Sequence, residues 1–244
     1  MKPPRTAAAL VIGNELLTGK IRDTNFGHLA RELFALGIAL ERAIFCRDEI
    51  DVIVADLNDL RRAHDWVFTS GGVGPTHDDV TIKALARAFD RPIARSPAIE
   101  TLLRRFIGDR ISDGHLRMAD VPVGAELVTG SGGHWPVLLI DNVFVLPGLP
   151  EAFERQLPIL RERLAGDAPF ISRAVHTTRD EGSIAALLEE LAAGHPEVAI
   201  GSYPKWNGPY RVAVTFDGRD SVKVDAAVQA LHRILPPETI VPAT

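Results

Sequence analysis

The stretch Thr69–Thr81, TSGGVGPTHDDVT, places three glycines, a proline, a histidine and two adjacent aspartates between an apolar run and a helical pattern. DWVFT (65–69), which leads into it, has the aromatic and β-branched content of a short buried strand. VTIKALARAF (80–89), which leads out, repeats apolar residues at helical spacing, and its helix is expected to begin near Asp78. A strand that turns through glycines into a helix is the building unit of an open parallel sheet.

The same alternation runs back toward the N-terminus. TAAALVI (6–12) reads as a buried strand stopped by Gly13. Phe26, Leu29, Ala30, Leu33 and Phe34 recur at helical spacing, with Gly37 as the cap beyond them. IALERAIF (38–45) reads as a second strand, and Ile50, Ile53, Val54, Leu57 and Leu60 share one face of the next helix. Three strand–helix pairs in succession imply a mostly parallel sheet with helices on its faces.

Toward the C-terminus, Ser96-Pro97 has the form of a helix start, with the helix running to about Phe106. Residues 108–120 read as a flexible polar loop. PVLLIDNVFVLPG (136–148) holds two apolar runs around Asp141-Asn142, a hairpin that adds an antiparallel edge. A helix from about Glu151 is expected to bend or break at Pro158. After Asp167 the pattern restarts as β-α-β-β-α, the order of a small ferredoxin-like α+β unit. The expected organisation is an α/β domain over 1–167 and a small α+β domain over 168–244.

At 244 residues, 46% hydrophobic and 24% charged, the chain has enough apolar material for a real core. A net charge of −5 argues against a nucleic-acid partner. Cys46 is the single cysteine, so no internal disulfide is possible and a reducing compartment is the natural setting. No run approaches the roughly 20 apolar residues of a membrane span. The expectation is a cytoplasmic chain without a membrane partner.

In an open parallel sheet, ligands bind beyond the carboxyl ends of the strands. Three loops lie at that edge: GNELLTGKIRDTN (13–25), CRDE (46–49) and SGGVGPTHDD (70–79). Gly71, Gly72 and Gly74 let backbone N–H groups approach an anion, and the helix start behind them adds partial positive charge. The loop is no P-loop, because no Lys-Ser/Thr follows, and His77 stands where a dinucleotide fingerprint needs its third glycine. The plainer alternative is a tight strand-to-helix turn. Asp78 or Asp79 can serve as a helix cap, but a carboxylate beside a phosphate is unfavourable unless a cation lies between them. With Glu15 and Asp48 arriving from neighbouring loops, an oxygen site for a divalent ion is reasonable. Lys20, Arg22 and Lys83 are either phosphate neutralisers or ordinary surface charges.

Other chemistries find less support. The eight histidines lack zinc-site spacing. Ser70 does not sit in a Gly-x-Ser-x-Gly elbow. Cys46, beside Ile44 and Phe45, reads as core rather than nucleophile. LPGLP (146–150) closes the hairpin, and Pro147 and Gly148 can also line a pocket mouth. Tyr203 and Trp206 either cover a small core or stack on a partner surface.

IGNELLTGKIRDTN (12–25), TSGGVGPTHDDVT and LPGLP, in this order and spacing, resemble the molybdopterin-binding-like domain of the competence/damage-inducible protein CinA. They are also similar to the N-terminal domain of eukaryotic FAD synthases and, more remotely, to molybdopterin adenylyltransferases. The resemblance covers residues 6–165. The IGSYP segment (200–204) is similar to the small α+β domain that follows in those relatives.

This resemblance implies a three-layer α/β/α fold, a homo-oligomer (dimer or trimer) and a small-molecule ligand, a nucleotide or pterin phosphate such as molybdopterin. It implies hydrolysis of a nucleotide pyrophosphate, ADP-ribose-like or FAD-like, with Mg²⁺, Mn²⁺ or Co²⁺. Ligand contacts are expected from Asn25, Ser70, Gly71, Gly72, Gly74, Pro75, Thr76, Pro147 and Gly148. Asp48 and Asp79 match the aspartates linked to metal and catalysis, and Glu15, Asp48, Asp78 and Asp79 form the expected metal set.

Three departures bear on that expectation. Asn14 stands where many relatives have aspartate. Residues 130–136 replace a segment of Ala-Pro-Gly-Phe type, so substrate specificity does not carry over. CinA's C-terminal amidohydrolase domain is not expected here, nor is its deamidase activity. The alternatives to hydrolysis are a non-catalytic molybdopterin or nucleotide binder and a molybdopterin adenylyltransferase.

Overall fold

A computed structural model describes residues 3–132 and 135–242. The chain divides into two compact units, Met1–Asp167 and Ala168–Thr244.

The first unit follows the alternation: β1 (Thr6–Ile12), α1 (Asn14–Leu17), α2 (Asn25–Ala35), β2 (Ala39–Cys46), α3 (Ile50–Ala63), β3 (Trp66–Ser70) and α4 (Thr81–Ala88). It continues with β4 (Ile93–Arg95), α5 (Pro97–Ile107), α6 (Asp113–Arg117), β5 (Asp120–Pro122), β6 (Glu126–Val128), β7 (Val137–Ile140), β8 (Val143–Leu146) and α7 (Pro150–Leu164). Among the described residues, six strands form one sheet in the order β2-β1-β3-β8-β7-β6. β2, β1, β3 and β8 run parallel, and β7 and β6 add the antiparallel edge.

Because successive strand residues face opposite ways, β1 feeds two cores at once. Ala7 and Ala9 pack with Leu29 and Leu33 of α2 and with Phe153, Leu157 and Leu160 of α7. Ala8, Leu10 and Ile12 pack with Ile53, Leu57 and Leu60 of α3 and Leu85 of α4. The result is three layers, α/β/α, with β1 and β3 central. Phe68 and Phe144 stack at 5.2 Å within the first core.

Three local expectations need correction. Residues 108–120 are not all loop: Ser112 and His115 form a capping box that starts α6, and β5 pairs with β4. α7 continues through Pro158, because Phe153, Leu157, Ile159, Leu160 and Leu164 bury one face over its whole length. α4 starts at Thr81 and not near Asp78, with Val80 at its N-cap and no side-chain cap.

The second unit contains β9 (Ile171–Thr177), α8 (Glu181–Gly194), β10 (Ala199–Pro204), β11 (Val212–Gly218), α9 (Ser221–Ile234) and β12 (Ile240–Val241). Its antiparallel sheet has the order β10-β11-β9-β12. The added β12 completes the β-α-β-β-α-β order of a ferredoxin-like unit. Asp180 and Asp220 cap its two helices. Among the described residues no helix is long and apolar enough to cross a membrane.

Candidate functional site

β1, β2 and β3 deliver their loops to one edge of the sheet. Gly71 leaves β3 at φ +102 and Gly72 follows at φ +65, backbone that L side chains rarely adopt. The turn is fastened on several sides. Gly71 N–H donates to Leu146 O at 3.2 Å. Thr81 Oγ1 donates to Gly71 O at 2.9 Å, and Thr81 N–H to Gly72 O at 3.0 Å. Gly148 presses on it so closely that a Cβ there would lie 3.2 Å from Gly71 Cα. Thr81, unassigned from sequence, therefore joins α4 to the turn.

The two aspartates have different jobs. Asp79 folds back: Oδ1 accepts Gly74 N–H at 2.7 Å, and Oδ2 accepts Thr76 N–H at 2.8 Å. Asp79 thus closes the Gly74–Thr76 turn, and both of its oxygens are engaged. Asp78 is exposed, and the Thr76 hydroxyl 2.6 Å from its Oδ1 holds its carboxyl below the usual range. The same hydroxyl lies 2.5 Å from Asp79 Oδ2, so its single proton serves one carboxylate at a time. Pro75 is half-buried within this turn.

Asp48 approaches from the β2 loop. Its Oδ2 accepts Asn14 N–H at 2.8 Å, and its Oδ1 would lie 3.5 Å from a Cβ at Gly72. Glu15 curls over Gly13, where a Cβ would meet its Oε1 at 2.5 Å. With Gly71 and Gly74 committed, the N–H groups of Gly72 and Val73 are left without an acceptor among the described residues. Two open donors therefore lie in a turn that Asp48 overlooks.

Asn25 ties the loops together from beneath. Nearly fully buried, its Nδ2 donates to Gly148 O at 2.9 Å and Ser70 Oγ at 3.1 Å, while Ser70 Oγ donates to Pro147 O at 3.3 Å. Asn25, Ser70, Pro147 and Gly148 thus serve as scaffold beneath the turn. Lys83 lies in the first turn of α4, and Lys20 and Arg22 in the β1 loop, all exposed and without an ion pair among the described residues.

No three of Glu15, Asp48, Asp78 and Asp79 gather into a group that could hold an ion unaided; no such group of His, Cys, Asp or Glu occurs among the described residues. Glu15 and Asp48 keep carboxylate oxygens without a protein donor. That donor set fits an ion that arrives on a ligand's phosphates, as Mg²⁺ commonly does with one or two carboxylates. In the 130–136 segment, Ser131 bonds Glu162 through N–H and hydroxyl at 3.0 and 2.6 Å; residues 133 and 134 lie outside the described residues.

Cys46, buried at the end of β2, has its thiol pushed up to about 12 by burial, with Asp56 and Asp48 adding repulsion. Since an unfolded thiol ionises near about 8.5, the folded state keeps a proton that the unfolded state loses, and stability falls as pH rises from there toward 12. At pH 8 the native protein is expected to resist a thiol-specific reagent for hours and to react within minutes in urea. Fast native labelling would contradict this placement.

Residues 8–165 match the family described as a probable molybdopterin binding domain, and residues 169–244 match the FAD synthase middle domain. A protein of Archaeoglobus fulgidus is 32% identical over 92% of this chain and 95% of its own length. A probable FAD synthase of Caenorhabditis elegans is 33% identical over 96% of this chain, and a CinA-like protein of Gemmatimonas aurantiaca is 34% identical over 82%. The chain spans about half the length of these last two, 51% and 50%. The crystal structure of CinA from Thermoplasma acidophilum shares the fold, with a TM-score of 0.60 at 24% identity, over 67% of this chain and 99% of that one. The chain belongs to the CinA-like molybdopterin-binding domain family, with a domain of the FAD synthase middle type following.

Proposed function

We propose that the first unit hydrolyses a nucleotide pyrophosphate, an ADP-ribose-like or FAD-like molecule, with a divalent ion. The observation that carries this reading is the pairing of two open N–H donors, at Gly72 and Val73, with a carboxylate that overlooks the same turn. Open donors in a glycine turn suit a phosphate oxygen. An aspartate beside that phosphate is repulsive unless a cation or a reacting water stands between them. Asp48 Oδ1 and Glu15 would hold the ion, which supplies charge neutralisation and a more acidic water.

Asp48, held by Asn14 N–H, is fixed in direction and can orient the attacking water. Hydrolysis adds that water across the P–O–P bridge and leaves two phosphate monoesters, each able to keep an oxygen on the Gly72 and Val73 donors. Lys83, in the first turn of α4, and Lys20, in the β1 loop, are the cations that would offset the product charge. In this reading Asp79 acts by holding the turn.

The test is a hydrolysis panel: ADP-ribose, FAD and NAD, each with Mg²⁺, Mn²⁺ or Co²⁺, scored for AMP release. Wild-type turnover with at least one pair, lost in Asp48→Asn, supports the reading. No AMP from any pair sinks it. The engagement of both Asp79 oxygens favours one second reading, a binder of a nucleotide or of molybdopterin without turnover. Tight binding that survives chelation, with no AMP released under any metal, would select it.

A further inference from the structure

The sheet of the second unit ends on β10, whose outer side faces no strand among the described residues. Two hydrogen bonds fix which of its backbone groups point outward. Lys205 N–H donates to Arg211 O at 2.7 Å, and in the same register Tyr203 lies opposite Ala213 and Gly201 opposite Thr215. Antiparallel bonding alternates, so Ala199, Gly201 and Tyr203 bond to β11, while Ile200 and Ser202 point away from it. The bond from Thr178 N–H to Thr239 O, at 2.8 Å, sets the same alternation from the far side of the sheet. The N–H and C=O groups of Ile200 and Ser202 are therefore open among the described residues.

Exposed edges are normally blunted by charge, by proline or by brevity. β2, the outer strand of the first unit's sheet, exposes Glu41 and Arg42, and β6 and β12 have only three and two residues. β10 has six, Ala199–Pro204, none of them charged, and is guarded only by Pro204 at its end. The side of α8 nearest this edge is as bare. Ser202 Oγ donates to Glu181 there, and Ala185, Leu188 and Ala192 continue that side at helical spacing, both alanines exposed.

We propose that β10 pairs with β10 of a second copy of this chain, antiparallel about a two-fold axis at Gly201. Ile200 then faces Ser202 of the second copy, so every open donor and acceptor of these two residues is matched. Pro204, which has no N–H to offer, falls outside the bonded pairs. The neighbouring registers fit less well. With Ser202 on the axis, Ile200 meets Pro204 and its carbonyl finds no donor. With Ile200 on the axis, Ser202 meets Val198, whose N–H is already held by His195 O at 3.0 Å.

Side chains favour the same register. Tyr203 faces Ala199, large against small. Lys205 falls beside Glu197, whose Oε2 holds Lys223 and whose Oε1 is open. The two-fold axis makes each of these contacts twice. Two four-stranded sheets thereby join into one, and the two copies of α8 run antiparallel with their alanines toward each other.

The test is sedimentation equilibrium of the full chain up to about 100 µM, where a micromolar contact is filled. Wild type is expected to associate, and Ser202→Pro to have half its mass. The proline removes an outward N–H without touching the ladder to β11, and the glycine before it tolerates a following proline. A wild type that stays monomeric overturns the pairing and leaves the edge to a strand of a different chain. Equal masses for wild type and Ser202→Pro overturn it as well. Circular dichroism checks that Ser202→Pro folds. Where it does not, charge decides: Lys205→Glu should weaken association by about 10-fold, two rim pairs being turned repulsive. Adding Glu197→Lys to the same chain should restore it, because the axis sets these two positions against each other. Failure to restore overturns the proposal.

Discussion

Gly71→Ala is expected to unfold the first unit or to cost it about 3 kcal/mol or more. At φ +102 an alanine is strained before any contact is counted. The added Cβ would then lie 2.2 Å from Ile12 O, a backbone atom of central strand β1 with no rotamer to escape through. Relief requires parting β1 from β3, which sit between both cores. Gly19→Ala is the control: it also has positive φ, at +69, but nothing lies within 4 Å, so only the strain of about 1 kcal/mol should appear. Urea midpoints of the two variants read the difference. Equal midpoints would mean that the turn is not packed against β1 as described.

The second large effect separates Asp48 from Asp79. Asp48→Asn is expected to lower kcat/KM by about 10²- to 10³-fold, the scale of losing one electrostatic group at a phosphoryl site. Stability should barely move, because the asparagine amide oxygen can still accept Asn14 N–H. Asp79→Ala strips the acceptor from two backbone donors, Gly74 N–H and Thr76 N–H. It should cost about 1–3 kcal/mol and reduce activity through a loosened turn. Ligand binding should weaken in Asp79→Ala and persist in Asp48→Asn. Thermal melts beside kinetics distinguish them: activity lost in Asp79→Ala without a drop in Tm would return Asp79 to the chemistry.

Much of the architecture was legible because both cores are written at the two simple periods. The alternation of Ala7, Ala8, Ala9 and Leu10 between two clusters, and the helical faces of α2 and α3, follow from the repeat of apolar residues. The Ser96 cap, whose Oγ accepts Ile99 N–H, and the Asp141-Asn142 hairpin turn are local chemistry and were equally readable. Tertiary effects were not. β5 depends on the pairing of Asp120–Pro122 with Ile93–Arg95, which no window of sequence displays. Pro158 is tolerated because the buried face of α7 outweighs one lost hydrogen bond.

At the site, the glycines and acids were visible but their assignments were not. Nothing in GGVGPTHDD says that the carboxylate of Asp79 turns back five residues to Gly74, leaving Asp48 with the open oxygen. Thr81 looked like the beginning of a helix, and only the fold shows its hydroxyl on Gly71 O.

The hydrogen bond from Ser70 to Pro147 spans 77 residues. Gly71, too, depends on Leu146 for its N–H and on Gly148 for its packing. The glycine turn is therefore finished only when β8 slots in beside β3, a late event for a contact of such sequence separation. A folding intermediate that already pairs β1, β2 and β3 would have the glycines and acids in sequence but no working receptor. Ligand present during refolding would leave the early steps untouched and draw the population forward only at the docking of β8.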